Sequence, residues 1–281
     1  MAFSVDPRGL MYPPLEPLDL YRKKSGDELV GQLYSFTDKG DREVAMRPEM
    51  TPTLARMVNQ KGSSLKLPQR WFSIPRLFRY EKAQKGRLRE FFQLNMDIIG
   101  CNTVAAEVDL LCSIIHMLRA FGLEEKDFSI HVSSRRLLSE LLDSMGVPAD
   151  KKVAVYSALD KRAKLGEAEF RSLLGREGLT EANIGFIEDF FNFKDIGVLG
   201  AWVRSSGLEQ AGGRIRNVEV KVPTAEAPAG TPLGPTGLEE LESLFRYMGE
   251  LGLAGYITLD TSVVRGLAYY TGIVFEVYDI G

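Results

Sequence analysis

Apolar positions recur along this chain in two periods, every second residue in some stretches and every third or fourth in others, and the switches between them mark out its elements. Between 32 and 47 the runs LYSFT and REVAM flank Asp38-Lys39-Gly40-Asp41, which predicts a β-hairpin. A helix is predicted to start at Thr51-Pro52, with threonine as N-cap, proline in the first helical position, and Leu54, Met57 and Val58 as its apolar stripe. Residues 69–81 and 89–99 read as two longer strands joined by the polar loop 82–87. A helix over 103–121 carries Val104, Val108, Leu111, Ile115 and Leu118 on one face and stops at Gly122. A strand at 127–132 then leads into a helix over 135–145, ended by Gly146.

From about 148 to 208 the pattern is helical and charged, with FRSLLGREG, ANIGFIEDFFNF and IGVLGAWVRSSG as separate short helices, which predicts an inserted helical module. Residues 222–236 are rich in proline, glycine and alanine and read as a linker. A helix over 237–251 and strands at 256–260 and 272–279 follow. The expected architecture is α+β, an antiparallel sheet flanked by helices with a small helical insertion, rather than alternating βαβ units. The expected division is a first core part over 1–147, the insertion over 148–221, and linker with second core part over 222–281.

Composition narrows the class only a little. The 281 residues are 44% hydrophobic and 26% charged, an ordinary globular balance, and no stretch is apolar enough to cross a bilayer. The N-terminus MAFSVDPRGL lacks the apolar core of a signal peptide, and Cys101 and Cys112 are too few for a disulfide framework or a metal cluster, so a cytoplasmic protein with reduced thiols is expected. The formal net charge of -3 does not mark a nucleic-acid binder, yet Arg76, Arg79, Lys82, Lys85, Arg87 and Arg89 form a basic strip opposed nearby by Glu81 and Glu90 alone. Taken alone, such a run reads as a solvated hairpin.

Two stretches carry candidate chemistry. Alternation along 89–99 puts Phe91, Gln93, Asn95 and Asp97 on one face and Phe92, Leu94, Met96 and Ile98 on the other. The even row is expected to be core, and the odd row resembles the floor of a site for a polar ligand. On the neighbouring strand Arg79 and Glu81 share a face, a spacing that a plain salt bridge also explains. In Arg265-Gly266-Leu267-Ala268-Tyr269-Tyr270-Thr271-Gly272, the flanking glycines allow a tight turn that brings an arginine and a tyrosine hydroxyl into one cleft. No glycine-rich phosphate loop of the P-loop or dinucleotide kind is present, so a nucleotide would be held by side chains on strands.

These segments match one family in order. Arg47-Pro48-Glu49-Met50-Thr51 resembles the Arg-Pro-Glu-x-Thr element of histidyl-tRNA synthetases. Phe78-Arg79-Tyr80-Glu81, Lys85-Gly86-Arg87 and Arg89-Glu90-Phe91-Phe92-Gln93 resemble motif 2 of class II aminoacyl-tRNA synthetases. Residues 265–276 are similar to the histidine-specific motif, and 12–21 (YPPLEPLDLY) to the end of motif 1, the dimer-forming segment. The resemblance implies activation of histidine with ATP to histidyl-adenylate, transfer to tRNA(His), Mg²⁺ bridging the phosphates, and a homodimer.

It also implies roles. Arg79 and Arg265 are expected to stabilise charge on the α-phosphoryl oxygens, and Glu81 to read the adenine amino group. Glu49, Thr51 and Gln93 match the positions that take the α-ammonium of histidine. Asp97 and Tyr270, with Tyr269 beside them, are expected to hold the imidazole, whose two nitrogens need a carboxylate and a hydroxyl. Lys82, Lys85, Arg87 and Arg89 would meet tRNA phosphates.

The chain departs from the family where Ala268 stands for a usual aspartate, and it ends before the glycine-rich motif 3 and the anticodon-binding domain, so a truncated core is expected. Gly212-Gly213-Arg214 looks like motif 3 but precedes the tyrosine motif and reads as a loop. The alternative is the non-catalytic, histidine-sensing regulatory subunit of ATP phosphoribosyltransferase, which has the same core. The retained Glu49, Arg79, Gln93 and Arg265 favour the synthetase.

Overall fold

The computed structural model describes residues 13–22, 31, 33–82, 85–162, 165–206, 236–263 and 270–281. They fall into two compact units, Met1–Ala106 and Glu107–Gly281. The expected linker (222–235), the 212–214 loop, Tyr12 and the segment 264–269 lie outside the described residues.

The first unit is built from short antiparallel ladders. Strands β1 (Leu15–Pro17), β2 (Ser35–Thr37) and β3 (Glu43–Met46) form one sheet in the order β1-β3-β2. The β2–β3 hairpin is the one expected, and its turn is closed by Asp38. The Asp38 carboxylate accepts from the main-chain N–H of Gly40 (2.8 Å) and of Arg42 (3.0 Å), while Asp41 takes a positive φ of 56°. Leu18, Tyr21, Leu33 and Ala45 form a buried cluster in this unit. Helix α1 (Thr51–Lys61) buries Leu54 and Met57.

Helix α1 begins one residue earlier than its N-cap prediction. Met50 is the N-cap, with no side-chain hydrogen bond, and Thr51 is already helical. A threonine followed by proline reads as a capping pair, but proline is tolerated anywhere in the first turn, where N–H groups have no helical acceptor.

The long hairpin over 69–99 is interrupted on both arms. It consists of β4 (Gln69–Ser73) paired with β7 (Asn95–Ile99), and β5 (Arg76–Phe78) paired with β6 (Glu90–Phe92). Pro75 has no N–H for the ladder, so the partner arm breaks opposite it, and the Gln93 N–H donates to the Pro75 carbonyl across the gap (3.3 Å). This corrects the expected apolar core row. Phe92 is 65% and Leu94 37% exposed, and Met96 and Ile98 are half-buried. The double break ends strict alternation, and a two-stranded ribbon has no second layer of its own.

In the second unit, helix α2 (Ala105–Ala120) buries Val108, Leu111 and Ile115 and ends at Gly122, whose φ of 89° only glycine adopts freely. Strand β8 (Phe128–Ser134) runs into α3 (Arg135–Ser144). Helices α4 (Ala149–Asp160), α5 (Glu167–Arg176), α6 (Glu181–Phe190) and α7 (Ile196–Ser205) occupy the stretch read as a helical module. Helix α8 (Gly237–Glu250) and strands β9 (Ile257–Leu259) and β10 (Ile273–Asp279) complete the unit.

The sheet order is β10-β8-β9. β10 pairs with β8 antiparallel as expected, but β9 pairs with β8 in parallel, Ile130 against Ile257 and Val132 against Leu259. A parallel neighbour needs a long crossover, which the helices between β8 and β9 supply. Leu137, Leu138, Leu141 and Leu142 of α3 and Leu238, Leu241, Leu244 and Met248 of α8 are buried with Ile130 and Val132. Gly237 permits the close approach of α8 to α3, since a Cβ there would lie 2.3 Å from the main-chain nitrogen of Leu137.

Candidate active site

The segment Arg47–Thr51 is the junction of the first unit. The Arg47 N–H donates to the Pro14 carbonyl (3.0 Å), and the Arg47 carbonyl accepts from the Phe78 N–H (3.0 Å). Its guanidinium, 7% exposed, donates through Nε to the Arg76 carbonyl (2.9 Å) and through Nη1 to the Pro13 carbonyl (3.3 Å). The Pro48 carbonyl accepts from Arg79 Nε (3.0 Å). Glu49 follows, half-buried, and Thr51 is exposed on the first turn of α1.

Sequence reasoning missed a polar network beneath this segment. Glu16, 3% exposed, accepts from Thr53 Oγ1 (3.0 Å) and Arg56 Nη2 (2.7 Å), fastening α1 to β1. The signal was there but inverted: in Leu15-Glu16-Pro17 the charged residue points inward and its apolar neighbours outward. Burial also raises the Tyr21 phenol well above its ordinary range.

Arg79 lies just past the end of β5, half-buried, with its N–H donating to the Arg89 carbonyl (2.9 Å) and its guanidinium carbon 5.3 Å from the Phe91 ring centre. The expected facing of Arg79 and Glu81 along one strand is not what forms. The strand ends at Phe78, and Glu81 pairs instead with Arg87 across the loop (3.2 Å), while Arg89 Nε donates to the Glu81 carbonyl (3.2 Å) and its guanidinium lies over Tyr80. Part of the basic strip is thereby neutralised, Arg87 by Glu81 and Arg76 by Glu90 (3.0 Å). Lys82, Lys85, Arg87 and Arg89 are all exposed.

On β7 the expected polar face is present. Gln93 Nε2 donates to Asn95 Oδ1 (2.8 Å), and Asp97 sits opposite the buried Trp71. Among the described residues Asp97 makes no hydrogen bond or ion pair, and burial raises its carboxyl above the usual range. A half-buried carboxylate in that state is set up to accept an N–H from a ligand.

Arg265, Ala268 and Tyr269 lie outside the described residues. Tyr270, in the second unit, is 58% exposed. The approach to that segment is a polar hub which the sequence did not disclose. The Asp260 carboxylate accepts from Lys194 Nζ, Ser262 Oγ (2.5 Å) and the Ser262 N–H (3.1 Å), with His131 Nδ1 at 2.9 Å, and Thr261 Oγ1 donates to the Phe190 carbonyl (2.6 Å). Burial alone would push Asp260 up, but these donors together hold it at about 2. A cavity of about 730 Å³ beside Ser262 and Tyr278 is lined by Asp160, Glu167, Glu188, Asp189 and Glu276 against Arg162. Five carboxylates to one guanidinium disfavour a polyphosphate, so the nucleotide is not assigned there.

Among the described residues there is no group of three or more His, Cys, Asp or Glu that could hold a metal ion, and no helix long and apolar enough to cross a membrane. Among the described residues Cys101 and Cys112 form no disulfide.

Residues 8–281 match the family model described as Histidyl-tRNA synthetase. A histidine–tRNA ligase of Opitutus terrae is 42% identical over 267 residues, which are 95% of this chain and 56% of that protein. A chloroplastic/mitochondrial histidine–tRNA ligase of Arabidopsis thaliana is 39% identical over 268 residues, 95% of this chain and 49% of that one. The crystal structure of histidyl-tRNA synthetase from Nostoc sp. PCC 7120 superposes with a TM-score of 0.75 at 21% identity, covering 96% of this chain and 56% of that one. The chain thus spans about half the length of the curated relatives it matches.

Proposed function

We propose, from the fact that the chain belongs to the histidyl-tRNA synthetase family, that it carries the amino-acid-activating part of a histidine–tRNA ligase. The observation that carries this reading is the bond from Arg79 Nε to the Pro48 carbonyl (3.0 Å), which joins the segment expected to hold histidine to the arginine expected to act on ATP. Histidine's carboxylate attacks the α-phosphorus of ATP, pyrophosphate leaves, and the acyl group of the adenylate then passes to the end of tRNA(His). Negative charge grows on the α-phosphoryl oxygens, and a guanidinium already oriented by Pro48 and Phe91 meets it without reorganisation. Arg265 is the second cation that this reading assigns to the same charge. Glu81 reads the adenine amino group, and Mg²⁺ would enter as part of the nucleotide substrate and offset its negative charge.

Glu49, Thr51 and Gln93 are assigned to the α-ammonium, and Asp97, Tyr269 and Tyr270 are each assigned to the imidazole by the family motifs they match. The unpartnered, burial-perturbed state of Asp97 supports its part in this. The loop with Lys82, Lys85, Arg87 and Arg89 contacts tRNA, a homodimer forms through the segment around 12–21, and two cysteines outside any disulfide suit the cytoplasm. The histidine-sensing regulatory alternative is not better supported. The test is exchange of labelled pyrophosphate into ATP by the purified protein with each amino acid in turn. Stimulation by histidine alone is expected, and no stimulation, or equal stimulation by several amino acids, defeats the reading.

A further inference from the structure

Arg47 is a buried cation whose hydrogen bonds run to main-chain carbonyls of two distant segments, Pro13 and Arg76. A buried guanidinium is costly unless hydrogen-bonded, and an apolar side chain of similar length would fill the same volume. Its bonds must therefore be read for the geometry they impose. Nε and Nη1 belong to one rigid plane, so holding the carbonyls of Arg76 and Pro13 fixes the distance between β5 and the segment that leads into β1. The Arg47 main chain is held as well, its N–H by the Pro14 carbonyl and its own carbonyl by the Phe78 N–H. Next comes Pro48, whose ring fixes φ and so removes one of the two dihedrals that aim the Pro48 carbonyl.

That carbonyl receives Arg79 Nε. Among the described residues this is the only hydrogen bond of the Arg79 side chain, leaving its Nη groups to a ligand.

We propose that Arg47 is a positioning residue for adenylate formation, acting through the Pro48 carbonyl to set the plane of the Arg79 guanidinium and, one residue further on, the place of Glu49. This rests on the synthetase reading above. Lysine cannot replace Arg47, because a single ammonium cannot span two carbonyls on separate segments while its stem keeps the same path.

The test measures histidine-dependent pyrophosphate exchange, normalised to the number of active sites by the burst of ATP consumed on adenylate formation. The proteins are the unsubstituted one, Arg47→Lys, Arg47→Met, Arg79→Ala and the Arg47→Lys/Arg79→Ala double variant. Misplacing a catalytic group by a fraction of an ångström should lower kcat per site by about tenfold or more in Arg47→Lys. In the Arg79→Ala background the same change should cost no more than about twofold, since the two residues act as one unit. Arg47→Met, which keeps the apolar stem, serves if the lysine variant does not fold. A merely structural role predicts a lower active fraction or melting temperature with normal kcat per site. Normal per-site kcat in Arg47→Lys, or losses that multiply fully with Arg79→Ala, overturns the proposal alone. Absence of exchange in the unsubstituted protein overturns the synthetase reading and the proposal with it.

Discussion

Strands β7 and β8 are of the same kind and similar length, yet they live in opposite surroundings. Six of the seven residues of β8 are buried, and none of the five of β7 is. The helices differ in the same sense. In the second unit Ser134, Thr180, Asp195 and Thr236 each cap a helix with a side-chain oxygen, whereas α1 in the first unit starts at Met50 with no such cap. The second unit closes its core on both faces of β8. In the first unit Glu49, Arg79, Glu81, Gln93 and Asp97 sit half-buried and Thr51 is exposed, and among the described residues Asp97 has no hydrogen-bond or ion-pair partner. Stability and chemistry are thus divided between two kinds of strand, and each side of the division can be tested.

The largest effect is expected in the closed region. Ile130 is fully buried on β8, and Ile130→Ala should cost about 3–4 kcal/mol of stability through lost transfer energy and an unfilled cavity. Ile98→Ala on β7 removes the same atoms from a half-buried site and should cost about 1 kcal/mol. Urea unfolding of both variants measures the gap, and equal costs would erase the contrast between the strands.

Next comes the open region's own function. Arg79→Ala should lower histidine-dependent pyrophosphate exchange by on the order of a hundredfold or more while the far-ultraviolet circular dichroism is unchanged. Near-normal exchange removes Arg79 from the mechanism.

Asp97→Asn should weaken histidine binding by about tenfold with ATP binding largely spared. Burial raises the Asp97 pKa, so its ionised form is disfavoured in the folded state at neutral pH. A group with that sign contributes nothing at low pH and destabilises as pH rises through its unfolded value. Asp97→Asn should therefore raise stability slightly at neutral pH while it costs affinity. Histidine affinity should also fall in mild acid more steeply for the unsubstituted protein than for the asparagine variant, the ligand's own titration being common to both. Calorimetry across that range decides, and parallel pH curves would exclude Asp97 from the pocket.

Much of this was legible in the residues, for reasons that differ by element. The β2–β3 hairpin could be read because Asp38 and Gly40 demand a turn by local chemistry, and α2, α3 and α8 because a 3.6-residue stripe needs no tertiary information. The core row on 89–99 was misread because periodicity assumes an unbroken strand, and the break is dictated by Pro75 on the opposite arm. The pairing of Glu81 with Arg87 rather than any facing with Arg79 follows from where β5 ends, again a property of two arms together. Of the candidate site, the residue types on β7 and at Arg79 were visible in sequence. The Arg47, Glu16 and Asp260 contacts were not, since, Ser262 beside Asp260 apart, their partners lie between 29 and 129 residues away and several are main-chain carbonyls.

The smallest effect separates the two kinds of helix start. Thr236 Oγ1 accepts from the Glu239 N–H (3.2 Å) while the Glu239 carboxylate accepts from the Thr236 N–H (2.6 Å), a reciprocal box at the head of α8. Thr236→Ala removes one half of it. The Gly237 N–H remains bound by the Glu140 carboxylate (3.0 Å), so the helix keeps part of its cap and the loss should stay near 1 kcal/mol. Thr51→Ala at the head of α1 should change stability by only a few tenths of a kcal/mol, because that threonine is exposed and caps nothing. Its cost should surface in histidine affinity instead. Urea midpoints and histidine titrations on both variants make a crossed comparison. Stability lost at Thr51, or histidine affinity lost at Thr236 without loss at Thr51, would show that the uncapped start of α1 is not held open for substrate.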